Sequence, residues 1–274
     1  MTCLTSETGL HTTTVGENGP PIVFLHGLFG QGRNWTQIAK AFADRHRAVL
    51  VDLPHHGRSS WDDHFDFLEI ADQVAGSLAA DDPVTLVGHS LGGKVAMVLA
   101  LRHPELVARL CVVDVSPVGY GSGSEFAGYI TAMQDLDLSA LEQRSDAETA
   151  LEQAVPNDTV RGFLLQNLRR DGDTWRWQVN LDVLGEELAE VTDWPEEQLA
   201  GATPYDGPVL WIGGARSDYV RDEYAGAMDR WFPHNRRVIV KNAGHWIHSE
   251  QPEVFVEVLR QFLDGPAAEP VRTD

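Results

Sequence analysis

Residues 84–101, VTLVGHSLGGKVAMVLAL, constrain the fold more than any other stretch of the chain. Val84, Thr85, Leu86 and Val87 form a short apolar run, the mark of a parallel strand covered on both faces. Gly88-His89-Ser90-Leu91-Gly92 follows, and then a stretch rich in Ala, Val and Leu with helical composition. Strand, sharp turn and helix in that order put Ser90 at the tip of a strained turn, with Gly88 and Gly92 leaving room for the backbone. The hydroxyl then points out of the sheet, beside the N–H donors and the positive dipole end of the helix. Alone, G-x-S-x-G is a glycine-rich turn and no more. In this context Ser90 is a candidate nucleophile.

The rest of the chain repeats the alternation. Apolar runs at 22–25, 48–51 and 109–113 read as strands, with a weak edge strand at 10–15. Helices are expected at about 33–43 and 67–78 and after Ser90. Short connections between alternating strands and helices imply a mostly parallel central sheet flanked by helices, an α/β fold. From about Pro117 to Tyr205 the pattern changes to helical periodicity, with candidate helices at 125–136, 146–154, 159–167 and 183–190. Gly119-Tyr120-Gly121-Ser122-Gly123-Ser124 reads as a flexible lead into it. Alternation resumes at 209–212, with a helix at 222–231, a strand at 237–240 and an amphipathic helix at 252–262. The expected organisation is therefore a core of 1–116 and 206–266, a helical cap at 117–205 inserted after the strand ending at Asp114, and a flexible tail at 267–274.

Composition narrows the function. The formal net charge of −20 disfavours nucleic acid and anionic membrane surfaces, which call for basic patches. The 117–205 segment carries 17 acidic residues against five arginines, over half of that excess. Cys3 and Cys111 are the two cysteines, too few for a disulfide framework. No apolar run approaches the length of a membrane span, and the N-terminus has neither a basic nor an apolar leader region, so a cytoplasmic location is the default expectation. With no Cys/His cluster at ligand spacing, and His55 and His56 adjacent, no metal and no cofactor are expected.

A serine becomes a nucleophile only with a base, and the base needs an orienting acid. For a serine on a strand–turn–helix the chain order is serine, acid, histidine. His245 suits the base: it sits in a Gly244-His245-Trp246 turn after the 237–240 strand, beyond every other candidate. His248 is expected at the surface or behind His245, His89 as packing beneath the turn, and His55 and His56 as loop structure. Two acids compete. Asp114 ends the strand after the Ser90 helix; Asp218 lies in Gly213-Gly214-Ala215-Arg216-Ser217-Asp218 after a later strand. Both strand ends lie where an open α/β sheet keeps its site, so spacing alone leaves the choice open.

Taken together these segments resemble the α/β-hydrolase superfamily and, within it, the YbfF-type small serine esterases. The matching residues are His26-Gly27-Leu28-Phe29-Gly30, Asp52 with His56, Gly57 and Ser59, Gly88 through Lys94, Val113-Asp114-Val115-Ser116-Pro117, Gly214 with Ser217, Tyr219 and Val220, and Gly244-His245-Trp246. The insertion matches weakly, chiefly through Trp175-Arg176-Trp177. The resemblance implies that Asp114 is the acid and that Ser217 occupies the place where many α/β-hydrolases keep theirs. It also implies an oxyanion hole built from the Leu91 N–H and that of Leu28 or Phe29. Pro54-His55 departs from the Arg-Asn common in the family, which touches the pocket loop and not the triad.

The expected reaction is hydrolysis of small or short-chain carboxylic esters through an acyl-enzyme, by a monomer or small homo-oligomer. Thioester cleavage, and carbon–carbon hydrolysis or perhydrolysis, use the same triad and are the alternatives. A non-catalytic ligand-binding relative is the remaining class, against which an intact Ser90, Asp114 and His245 speak. Phe126, Tyr129, Phe163, Trp175, Trp177 and Trp246 are the candidate substrate-lining residues.

Overall fold

The computed structural model describes residues 8–121 and 123–265. Cys3 and the tail expected at 267–274 lie outside them. The core begins with strands β1 (Thr12–Val15) and β2 (Pro21–Leu25), helix α1 (Thr36–Lys40), strand β3 (Arg47–Val51) and helix α2 (Phe67–Ala75). Strand β4 (Val84–His89), helix α3 (Leu91–Arg102) and strand β5 (Val107–Val113) follow. An insertion then supplies α4 (Ser124–Gln134), α5 (Arg144–Leu151), α6 (Asp158–Leu165), β6 (Leu168–Asp171), β7 (Thr174–Trp177), α7 (Leu181–Glu186) and α8 (Leu188–Thr192). The chain returns to the sheet with β8 (Val209–Gly214), α9 (Ala225–Trp231), β9 (Asn235–Val240), α10 (Ile247–Glu250) and α11 (Pro252–Asp264).

The described residues form a seven-stranded sheet in the order β1-β3-β2-β4-β5-β8-β9. Only the edge pair β1–β3 is antiparallel. Alternate residues of each central strand enter different cores, which is why these runs carry no polar face. Val23, Leu25 and Leu86 pack with α2 and α3 on one side. Ile22, Phe24 and Val87 pack with Trp35, Phe42 and α11 on the other. Helix α3 is buried from Leu91 to Leu101, as an all-round apolar helix must be. By contrast, α11 buries only Phe255, Leu259 and Phe262, one stripe at helical spacing. No helix among the described residues is long and apolar enough to cross a membrane.

The insertion differs from expectation in two respects: the helix expected at 183–190 is two, α7 and α8, and a hairpin precedes them. Residues 168–177 are an antiparallel hairpin, not loop between helices. Its strands are four residues each, too short for a period-2 pattern to stand out. A buried lysine fastens the insertion to the core. Lys94 on α3 donates from Nζ to the carbonyls of Thr192 and Asp193, each at 2.6 Å, at the end of α8. Burial pushes its pKa down to about 7, against the pull of the Asp193 charge.

Candidate active site

The Ser90 turn follows from β4 running straight into α3. Ser90 has φ 53 and ψ −119, a backbone conformation costing on the order of 1–3 kcal/mol for a residue with a side chain. The flanking glycines are required by close approach. A Cβ on Gly88 would lie 2.2 Å from the Gly92 carbonyl oxygen, and one on Gly92 would lie 2.4 Å from that of His26. Any larger residue at either position pushes the loop, the turn and the helix apart. The turn is held by the Ser90 N–H donating to Val113 at the end of β5.

Asp114 directly follows β5, has φ 51 and is fully buried. Its carboxylate accepts three hydrogen bonds. Gly214 N–H, at the end of β8, donates to Oδ1 at 2.9 Å. His245 Nδ1 reaches Oδ2 at 2.7 Å, and the Ser217 hydroxyl donates to the same oxygen. With Nδ1 carrying the proton toward Asp114, His245 keeps Nε2 as its basic nitrogen. Asp218 lies elsewhere: its side chain is 85% exposed and pairs with Arg221 at 2.7 Å. The neighbouring serine, not the aspartate, therefore turns inward.

Behind His245 stand two neutral rings. His89, buried under the turn, donates from Nε2 to the His245 carbonyl at 2.9 Å. Burial, then the adjacent His245 and His248, hold its pKa well below the usual histidine value. His248 is half-buried behind His89. Its ring stacks on Trp35 at 4.3 Å and packs on His89 at 4.8 Å, and burial pushes its pKa down to about 3.

The loop before α1 supplies backbone donors. Leu28 N–H and Leu91 N–H have no hydrogen-bond partner among the described residues, and both residues line a cavity with Ser90. Phe29 N–H is spent on His56 Nε2 at 3.3 Å. Of the two candidates in this loop, Leu28 thus holds the free donor. His26 and His56 are structural, as their bonds show: His26 Nε2 accepts the Leu53 N–H, and His56 Nδ1 donates to the Pro54 carbonyl. The Pro54-His55 departure falls where the insertion docks, since the Asn180 N–H donates to the His55 carbonyl at 2.8 Å.

Ser90 and His245 open on one cavity of about 280 Å³, bounded by the core on one side and the insertion on the other. Phe126, Tyr129, Phe163 and Trp246 line it. Trp175 and Trp177 do not. Their indole N–H groups donate to the carbonyls of Leu141 and Met133, inside the insertion's own core. Sequence reasoning missed Val160 and Leu164, which join Phe163 on the cavity wall. Their i, i+3, i+4 spacing on α6 was the available signal.

Fold and site define a class: a doubly covered parallel sheet presenting a serine on a strained turn, with a histidine and a buried aspartate beside it. A family model described as the alpha/beta hydrolase fold matches residues 20–252. The chain is 38% identical over 252 residues to sn-1-specific diacylglycerol lipase ABHD11 of Mus musculus, covering 89% of this chain and 81% of that one. It is 30% identical over 251 residues to esterase YbfF of Escherichia coli (strain K12), covering 90% and 94%. A solved marine microorganism esterase superposes with a TM-score of 0.88 at 31% identity, over 92% of this chain and 98% of that one. The chain belongs to the α/β-hydrolase fold family, and within it resembles the YbfF-type esterases.

Proposed function

We propose that the protein hydrolyses small or short-chain acyl esters through an acyl-enzyme, with Ser90 as nucleophile, His245 as general base and Asp114 as the orienting acid. The protein is a hydrolase acting on esters; the substrate size and the residue roles are the proposal. One observation carries it: the buried Asp114–His245 hydrogen bond at 2.7 Å beside a serine held at φ 53.

In the first half-reaction His245 Nε2 takes the Ser90 proton while Oγ attacks the ester carbonyl carbon. The Leu28 and Leu91 N–H groups hold the tetrahedral oxyanion. Collapse breaks the bond to the leaving alcohol, which takes the proton from His245. Water then attacks the acyl-Ser90 by the same proton path and releases the acid. Asp114 keeps Nδ1 protonated throughout and offsets the charge on the imidazolium. Residues 117–205 act as the cap that bounds the acyl site.

The cavity supports a short-chain acyl site. About 280 Å³ of partly open space, walled mainly by aromatic and branched side chains, suits an acyl group of roughly two to six carbons. With p-nitrophenyl esters of increasing length, kcat/KM is expected to peak in that range and fall by about tenfold or more at twelve carbons. A maximum at ten carbons or beyond contradicts the assigned acyl site.

A further inference from the structure

The loop carrying Leu28 is held partly by its own bonds and partly from outside. The Gly27 carbonyl accepts from the Gly30 N–H at 2.8 Å and from His26 Nδ1 at 2.9 Å. In a trans peptide the N–H points opposite to the carbonyl, so these two bonds aim the Leu28 N–H away from them. The next residue, Phe29, has φ 61. A left-handed backbone is a steric outlier for a bulky aromatic, and it persists only where its surroundings enforce it.

The core supplies one restraint, the His56 ring on the Phe29 N–H. The insertion supplies the rest, with Gln166 Nε2 donating to the Phe29 carbonyl at 3.3 Å and its neighbour more closely. Asn167, just beyond α6 and fully buried, donates from Nδ2 to the Phe29 carbonyl at 2.8 Å. Its Oδ1 accepts from Gln31 Nε2 at 2.7 Å, on the far side of the same loop. The Asn167 backbone is anchored within the insertion, its N–H to Leu164 and its carbonyl to Gln178. One side-chain amide thus joins the covering segment to the loop at two points, the Phe29 carbonyl and the Gln31 side chain.

We propose that Asn167 is a positioning residue for the oxyanion hole, holding Phe29 in its left-handed conformation so that the Leu28 N–H stays turned toward the Ser90 cavity. This rests on the ester-hydrolase reading above. The insertion then does more than bound the pocket: it stabilises the transition state through the loop it grips. A displaced donor loses part of the ~10²–10³ in kcat that a whole oxyanion-hole donor contributes.

The test compares wild type, Asn167→Ala and Gln31→Leu on p-nitrophenyl acetate, with inhibition by an aryl trifluoromethyl ketone. Ser90 Oγ adds to the ketone carbonyl, its proton passes to His245, and the resulting oxyanion needs the same donors. For Asn167→Ala, kcat is expected to fall and the ketone Ki to rise, each by about 10–10², with KM within about twofold and the pH profile unmoved. Gln31→Leu is expected to show a weaker version of the same pattern. If Asn167→Ala melts cooperatively yet raises KM and leaves kcat and Ki alone, Asn167 only shapes the pocket and the inference fails. If that variant does not fold, an unchanged kcat and Ki in Gln31→Leu has the same meaning. A wild type that neither hydrolyses the ester nor binds the ketone overturns the ester-hydrolase reading itself.

Discussion

Asp114→Asn is expected to lower kcat by about 10⁴, whereas Asp218→Asn leaves it within about twofold. The asymmetry follows from what each carboxylate touches. Asp114 is fully buried, and its Oδ2 accepts both the His245 Nδ1 proton and the Ser217 hydroxyl. An asparagine there can turn its NH₂ toward Nδ1, which forces the proton onto Nε2 and removes the base that Ser90 needs. The side chain is nearly isosteric, so the loss falls on the histidine tautomer and not on the fold. Asp218 contributes only an exposed, solvent-screened pair with Arg221 that does not reach Nδ1. Steady-state kinetics on p-nitrophenyl acetate reads both variants. Loss in Asp218→Asn with Asp114→Asn intact moves the acid to the loop after β8.

The second large effect is acid lability. Burial pushes His26 down to about 4 and His56 down to about 3, the latter helped by His26 itself. His89 and His248 are lowered for the same reason. An unfolded histidine takes up its proton near pH 6.5. Between there and about pH 4 the unfolded chain therefore binds protons that the folded chain refuses. Stability falls on acidification through that window and is insensitive to these groups above about pH 7.5. At ~1.4 kcal/mol per pH unit, His26 alone costs about 3 kcal/mol by pH 4. That is a large share of the ~5–15 kcal/mol by which a domain is stable. Urea midpoints measured from pH 8 to pH 5 are expected to decline steadily below about pH 6.5. A midpoint unchanged over that range would show that these rings are not neutral and buried in the folded state.

The sheet was legible because its strands are covered on both faces. Runs such as Val84 to Val87 need no partner information to be read, and the Ser90 turn is encoded by glycines at positions where a Cβ would have no room. The hairpin at 168–177 was not legible, since four-residue strands inside an acidic segment leave no pattern. The site divided in the same way. Ser90 and His245 sit in local motifs that fix their surroundings. The acid could be placed only through resemblance, because whether Ser217 or Asp218 turns inward depends on how the loop after β8 meets Asp114, a contact across about a hundred residues of chain. Trp175 and Trp177 look like pocket aromatics in the sequence, yet their N–H groups are used within the insertion. Asn167 carried no signal at all. A lone asparagine past a helix end acquires meaning only when the loop at Phe29 is folded against it.

The claim on which everything else depends is that Ser90 is an activated nucleophile. Intact-protein mass spectrometry after treatment with a serine-directed fluorophosphonate tests it most directly, run on wild type and Ser90→Ala beside ester hydrolysis. The expected result is one phosphonyl adduct on wild type, mapped to the peptide containing Ser90, with adduct and hydrolysis both lost in Ser90→Ala. Adduct formation and hydrolysis that persist in Ser90→Ala would contradict it, and would leave the strained turn as a feature of a ligand-binding cleft.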